Sequence, residues 1–175
     1  MLPEQFCVRM KEMLGEEYAA FYASYDLPKY QALRINPLKT EWDTFLQQAP
    51  FSLNRVPWTT NGYYYSGNDQ PGRHPYHEAG VYYIQEPSAM APAEYLMAEP
   101  GERILDLCAA PGGKSTQIAC SMQGEGLIVC NEIHPARAKI LSENIERMGV
   151  CNALVTNETP QKLSDNFREY FDRIL

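Results

Sequence analysis

Apolar positions in the first two dozen residues recur at helical spacing: Phe6, Met10, Met13, Leu14, Tyr18, Phe21 and Tyr22. That period predicts one amphipathic helix over residues 3–24, with Pro3 in its first turn and the apolar residues as a buried stripe. Ala32 to Asn36 reads as a short strand ended by Pro37, and Glu41 to Gln48 as a short helix. Val56 to Tyr65 predicts extended segments about a turn at Asn61-Gly62. Residues 66–80 hold Gly67, Asn68, Asp69, Pro71, Gly72 and Pro75, and read as a loop.

From Gly101 the pattern becomes regular. Arg103 to Leu107 is a strand, and Lys114 to Met122 a helix broken by Gly124 and Gly126. Leu127 to Asn131 is a second strand. Pro135 to Met148 is a helix with Ile140, Leu141, Ile145 and Met148 on one face and Gly149 as its stop. Ala153 to Thr156, Pro160 to Phe171 and Asp172 to Leu175 read as strand, helix and the opening of a fourth strand. Strands alternating with helices imply a parallel sheet. The expected fold is therefore α/β: an incomplete doubly wound, Rossmann-like sheet over residues 81–175, preceded by a small α/β N-terminal domain over residues 1–80.

Composition alters this picture little. Apolar residues make up 45% and charged residues 21%, ordinary for a globular chain and unlike a disordered one. The net charge of −7 runs against the basic signature of nucleic-acid binders, so any RNA contact needs a local patch. Lys29, Arg34, Lys39, Arg55 and Arg73 are candidates for that patch, diluted by Glu41, Asp43, Asp69 and Glu78. Tyr63, Tyr64 and Tyr65 offer stacking surfaces, although a tyrosine-rich strand is more often packed. Five cysteines, odd in number and without a Cys-x-x-Cys pair, fit free thiols in a reducing cytoplasm. No cysteine accompanies His74 and His77 in a ligand pattern, so no metal site is expected and the two histidines read as surface residues. The start carries no secretion signal and no apolar run is long enough to span a bilayer; a cytoplasmic setting without a membrane partner is expected.

The segment richest in chemistry is Ile104-Leu-Asp-Leu-Cys-Ala-Ala-Pro-Gly-Gly-Lys-Ser-Thr116. A strand feeds a turn of small residues and then a helix, whose first N–H groups are free to bind a ligand. A phosphate loop, Gly-x-x-x-x-Gly-Lys-Ser/Thr, matches Gly113, Lys114 and Ser115 but meets Cys108 where its first glycine belongs. The dinucleotide pattern Gly-x-Gly-x-x-Gly is absent. S-adenosylmethionine suits the segment better, because its sulfonium and ammonium make an acid such as Asp106 an asset. Glu132, twenty-six positions on, closes the second strand where an acid accepts from ribose hydroxyls. That placement alone would equally suit NAD.

Asp106 to Thr116 resembles the cofactor motif of the Nol/Nop/Sun family of RNA 5-methylcytosine methyltransferases. Leu33-Arg-Ile-Asn-Pro-Leu-Lys39 is similar to its N-terminal signature, Gly80 to Met90 to the segment leading into its catalytic domain, and Asn131 to Lys139 to its second-strand motif. The likeness runs from about Leu33 onward and is greatest to the bacterial branch that modifies small-subunit ribosomal RNA. It implies that Cys108, Ala109, Ala110, Pro111, Gly112, Gly113 and Lys114 cradle the methionine part of S-adenosylmethionine, that Glu132 holds the ribose, and that Asn157 contacts the adenine. At Asn157 the sequence departs from the aspartate of many relatives.

The implied reaction is methylation of cytosine C5 in ribosomal RNA. C5 is a poor nucleophile until a thiolate adds at C6. The family supplies that chemistry from cysteines in Pro-Cys and Thr-Cys motifs after its fourth and fifth strands. None of Cys7, Cys108, Cys120, Cys130 and Cys151 stands in such a context, so no catalytic residue is assigned and the chain alone is expected to be inactive. Cys108 reads as a backbone contributor to the loop. An inert cofactor- or RNA-binding fragment, or a small-molecule methyltransferase on the same sheet, are the alternatives. Arg34 and Asn36 fall in the N-terminal signature, and the sequence leaves RNA contact and internal packing equally open for them.

Overall fold

The computed structural model describes residues 2–175, which fall into two compact units, residues 2–30 and Gln31–Leu175. In the first, the predicted single helix is two: α1 (Glu4–Leu14) and α2 (Tyr18–Ser24), joined by a 3-10 turn at Gly15–Glu17. Gly15 takes φ +53°, a conformation glycine adopts without strain, and this breaks the helical path. The expected stripe is not buried. Phe6, Tyr18, Phe21 and Tyr25 cluster by ring contacts, whereas Met13 stays 66% exposed. A thirty-residue unit has too little volume to enclose a dry core.

The second unit holds two four-stranded sheets. The first strands are β1 (Ala32–Ile35), β2 (Leu53–Arg55) and β3 (Gly62–Tyr65), with α3 (Trp42–Gln48) between β1 and β2. After a 3-10 turn at Pro71–Arg73 come α4 (Pro75–Glu78), β4 (Tyr82–Ile84) and α5 (Ala91–Leu96). Their antiparallel sheet has the order β2-β3-β1-β4. The hairpin turn lies before Asn61-Gly62: Gly62 already pairs with Arg34, and Asn61 donates its side-chain amide to Ile35 O. Asn61 is used for its hydrogen bond and not for a left-handed turn. The predicted loop at 66–80 contains α4, whose N-cap His74 accepts from Tyr76 N–H. Leu33, Ile35, Phe45, Tyr63 and Tyr82 form the core of this sheet.

The remaining elements are β5 (Arg103–Asp106), α6 (Gly113–Met122), β6 (Leu127–Asn131), α7 (Pro135–Arg147), β7 (Ala153–Thr156), α8 (Pro160–Asn166) and β8 (Arg173–Ile174). All pairings among the four strands are parallel, in the order β7-β6-β5-β8. Ile128, Val129 and Cys130 are fully buried, as expected of a strand covered on both faces. α7 buries Ala138, Leu141 and Ile145, with Met148 at its cap; Ile140 points outward at 48% exposure, one residue off the predicted face. α8 stops at Asn166 rather than Phe171, and Phe167, Tyr170 and Phe171 form an aromatic cluster beyond its end. From β5 the chain runs outward through β6 to β7, then returns to place β8 on the other side of β5. The strand order therefore reverses at β5, and the carboxyl ends beside such a point are where open α/β sheets bind ligands. Among the described residues no helix is long and apolar enough to cross a membrane, and no cluster of metal-binding side chains occurs.

Candidate functional site

Three loops meet at the carboxyl ends of β5, β6 and β7. The first runs from Asp106 to Gly113. Asp106 is 1% exposed, and its Oδ2 accepts from Ser115 Oγ at 2.6 Å. Burial pushes its carboxyl above the ordinary carboxylate range, opposed by the Ser115 hydroxyl, the Lys114 charge and the Cys108 N–H. Asp106 is thus turned into the protein, where it fixes the shape of the loop. The Ala110–Pro111 bond is cis, and Gly112 takes φ +112°, a value that L side chains rarely adopt.

The four carbonyls from Ala110 to Gly113 are claimed by side chains. Ala110 O accepts from Arg137 Nη2 at 2.8 Å, Pro111 O from Asn144 Nδ2 at 2.8 Å, and Gly112 O from Thr116 Oγ1 at 2.8 Å. Gly113 O accepts from Arg34 Nη2 at 3.3 Å. Thr116 N–H bonds back to Gly112 O at 2.9 Å, whereas the N–H groups of Gly113, Lys114 and Ser115 precede the first helical acceptor, and an anionic group is their natural partner. Ala109 and Ala110 are buried, while the Cys108 and Pro111 side chains are exposed. Lys114 is half-buried in the first turn of α6.

The second loop begins at Glu132. Its carboxylate is 3% exposed; Oε1 accepts from His134 N–H at 2.9 Å and Oε2 pairs with Arg137 Nη1 at 3.0 Å. The next residue, Ile133, is 50% exposed and offers an apolar surface beside the acid. On the third loop, the exposed Asn157 donates Nδ2 to Glu132 O at 2.6 Å, which leaves its amide oxygen to accept elsewhere. The structure therefore gathers the segment Cys108–Lys114, Glu132 and Asn157 at one end of one sheet.

Two residues in this cluster escape the sequence reading. Asn131, 1% exposed, ties the three loops together. Its Nδ2 donates to Leu107 O and Glu158 O, its Oδ1 accepts from Thr156 Oγ1 and Glu158 N–H, and its carbonyl accepts from Ala109 N–H. A polar residue closing the apolar run Leu127-Ile-Val-Cys130 is the signal that would have found it. Arg137 is the second; only its spacing of five from Glu132 hints at the contact.

Of the residues proposed for an RNA strip, Lys29, Lys39, Arg55 and Arg73 are exposed and Arg34 is not. Arg34 is fully buried, donating Nε to Gln85 Oε1 at 3.2 Å and Nη2 to Thr116 Oγ1 at 2.8 Å, with its guanidinium 5.9 Å from the Tyr83 ring. Asn36, also fully buried, donates Nδ2 to Gly80 O and Met148 O, each at 2.8 Å. Both pin the antiparallel sheet to α6 and α7, and neither can meet RNA where it lies. Tyr63 is packed at 8% exposure, with Tyr64 and Tyr65 half-buried. A cavity of 140 Å³ opens between α6 and the antiparallel sheet, but its lining, including Trp42, Glu94 and Gln117, shares no residue with the strand-end cluster.

A parallel sheet of this order, with a glycine-containing turn after its central strand and an acid after the next, defines a Rossmann-like methyltransferase fold. Solved structures agree. A methyltransferase homolog protein from Pyrococcus horikoshii superposes with TM-score 0.85 and 28% identity, over 99% of this chain and 58% of that one. NSun6 from the same organism, solved with SFG, shares the fold at TM-score 0.80 and 19% identity, over 93% of this chain and 67% of its own. Residues 2–87 match the family model of the N-terminal domain of 16S rRNA methyltransferase RsmF, and residues 93–175 that of 16S rRNA methyltransferase RsmB/F. The chain belongs to this RsmB/F family of methyltransferases. Ribosomal RNA small subunit methyltransferase F from Pectobacterium atrosepticum is 37% identical and that from Enterobacter sp. (strain 638) 36%, each over 99% of this chain. The chain spans 38% of the length of these relatives.

Proposed function

We propose that this chain is the cofactor-holding part of a cytoplasmic, S-adenosylmethionine-dependent methyltransferase acting on cytosine C5 in small-subunit ribosomal RNA. The observation that carries the reading is the loop after β5: four carbonyls tied back, first-turn N–H groups presented, and Glu132 at the end of the adjacent strand. That donor set fits the cofactor's chemistry. The backbone of Cys108, Ala109, Ala110, Pro111, Gly112 and Gly113, with Lys114, holds the carboxylate end. Glu132 accepts from the ribose hydroxyls, Ile133 flanks the base, and the Asn157 amide oxygen accepts from the adenine amino group. When bound, the cofactor supplies an electrophilic methyl group on its sulfonium. In this reading residues 1–80, whose antiparallel sheet is completed by β4, serve RNA contact, and the parallel sheet from β5 onward holds the cofactor.

The chain's own cysteines do not supply the covalent step that C5 requires. Cys120 and Cys130 are buried, and burial pushes both thiols up, Cys130 to about 12, so neither yields a thiolate near neutrality. Cys151 precedes β7, at the opposite end of the sheet from the loops, and Cys7 lies in the N-terminal unit. Cys108 is exposed within the loop itself, where its backbone is the working part.

Calorimetry with S-adenosylmethionine, S-adenosylhomocysteine and ATP tests the cofactor assignment. Both adenosyl ligands are expected to bind and ATP to bind more weakly; preferential ATP binding would overturn the reading. Tritiated methyl transfer to naked ribosomal RNA and to small subunits is expected to give no methylcytosine with the 175-residue chain. Product formed by this chain alone would return Cys108 to consideration as a nucleophile.

A further inference from the structure

The ribose-accepting role proposed for Glu132 meets an obstacle in the structure. Its carboxylate is 3% exposed, although it sits at the rim of the sheet where strand ends open to solvent. One oxygen is held by the His134 N–H, a backbone contact that cannot move away without unwinding the loop. The other faces Arg137, whose side chain is 53% exposed. The same guanidinium reaches Ala110 O with Nη2 at 2.8 Å. One planar group thus bridges the acid after β6 to the loop after β5, across the gap between the two elements assigned to the cofactor.

We propose that Arg137 is a displaceable cover on Glu132, and that a ligand carrying a ribose cis-diol binds by exchanging its two hydroxyls for the guanidinium. The inference rests on the reading of Glu132 as the ribose acceptor. Without Arg137 the buried carboxylate would stand as a charge with one backbone donor, a costly state for an empty site. The ion pair compensates that charge until ligand arrives. Its release is offset, because the incoming hydroxyls replace the donors on the carboxylate and the half-exposed guanidinium is rehydrated. S-adenosylmethionine also brings positive charge, so the exchange keeps the charge balance of the site. A 2′-deoxy ligand cannot replace both contacts and leaves the ion pair in place, so Arg137 taxes only diol binding and narrows the preference that Glu132 gives for ribose over deoxyribose.

The test compares the 175-residue chain with Arg137→Gln and Arg137→Lys by calorimetry, using S-adenosylhomocysteine and its 2′-deoxy analogue. S-adenosylhomocysteine lacks the sulfonium charge, which isolates the diol. Circular dichroism and a thermal melt establish that each variant is folded. Arg137→Gln is expected to tighten S-adenosylhomocysteine binding by about fivefold, the weight of a weak ion pair no longer competed against, and to leave the 2′-deoxy analogue unchanged. Arg137→Lys, which keeps the charge but not the planar fork, should fall between. Unchanged or weaker binding of S-adenosylhomocysteine by folded Arg137→Gln would make Arg137 a brace for the loop and overturn the proposal. Equal tightening for both ligands would also overturn it, since charge alone would then explain the gain. If neither the wild-type chain nor the variants bind S-adenosylhomocysteine, the cofactor assignment itself fails.

Discussion

The two sheets of the second unit each have four strands, and each buries polar side chains, yet they use them differently. In the antiparallel sheet, Arg34 and Asn36 lie on and just after the central strand β1 and reach across to carbonyls and hydroxyls of α6 and α7. In the parallel sheet, Asp106, Asn131 and Glu132 lie where strands end, and their partners are the adjoining loops. The place of a buried polar residue along its strand therefore goes with what it joins: Arg34 and Asn36 tie sheet to helix, and Asp106, Asn131 and Glu132 brace the strand-end loops. Mid-strand groups are enclosed by the elements they join. Strand-end groups border the opening that a parallel sheet leaves at its carboxyl edge.

Breaking the docking side should have the largest effect. Arg34→Ala leaves a cavity and strips donors from Gln85, Gly113 and Thr116, at a cost of about 3 kcal/mol in urea unfolding. Because Gly113 opens α6, cofactor binding should weaken as well. A loss below about 1 kcal/mol would show that the arginine is incidental to the join. Asn36→Ala removes the donor shared by Gly80 O and Met148 O and should cost about 2 kcal/mol, with little effect on ligand affinity once folded.

The site side should respond in the opposite sense. Glu132→Ala is expected to weaken S-adenosylhomocysteine binding by about 2 kcal/mol, or tens of fold, while the melting temperature moves little. Unchanged affinity in a folded variant would place the ribose elsewhere.

The smallest effect concerns Asp106. Burial raises its pKa, so its contribution to stability is full below the ordinary carboxylate range and is lost as pH rises through the raised value. The wild-type chain should therefore lose stability relative to Asp106→Asn as pH rises from the ordinary aspartate pKa through the raised one, as followed by chemical denaturation. A pH-independent difference would mean that the folded and unfolded carboxyls titrate alike.

Much of this was written in the chain itself. The order of strands and helices after Gly101 follows from apolar runs punctuated by glycine and proline, because a strand buried on both faces must be apolar almost throughout. The loop at Cys108–Lys114 was legible for a related reason: small residues between a strand and a helix are demanded locally, by backbone sterics. Glu132 stood out as an acid closing such a strand. The boundaries that differ are those set by neighbours. α8 ends early where Phe167, Tyr170 and Phe171 pack on one another. The first helix splits at Gly15 and leaves its stripe half-covered, since periodicity records which residues share a face and not what lies against it.

Arg34, Asn36, Asn131 and Arg137 belong to the tertiary structure alone. Arg34 meets Thr116 across eighty-two positions and Asn36 meets Met148 O across one hundred and twelve. An arginine and an asparagine on a short strand look the same in sequence whether they face RNA or a helix terminus. Only the fold supplies the carbonyls that decide between them. Asn131 and Arg137 likewise act by joining loops that are distant along the chain and adjacent in space. Local sterics and hydrophobic period are short-range and can be read from neighbouring residues; the partners of a buried polar group are chosen by packing, which exists only once the chain is folded.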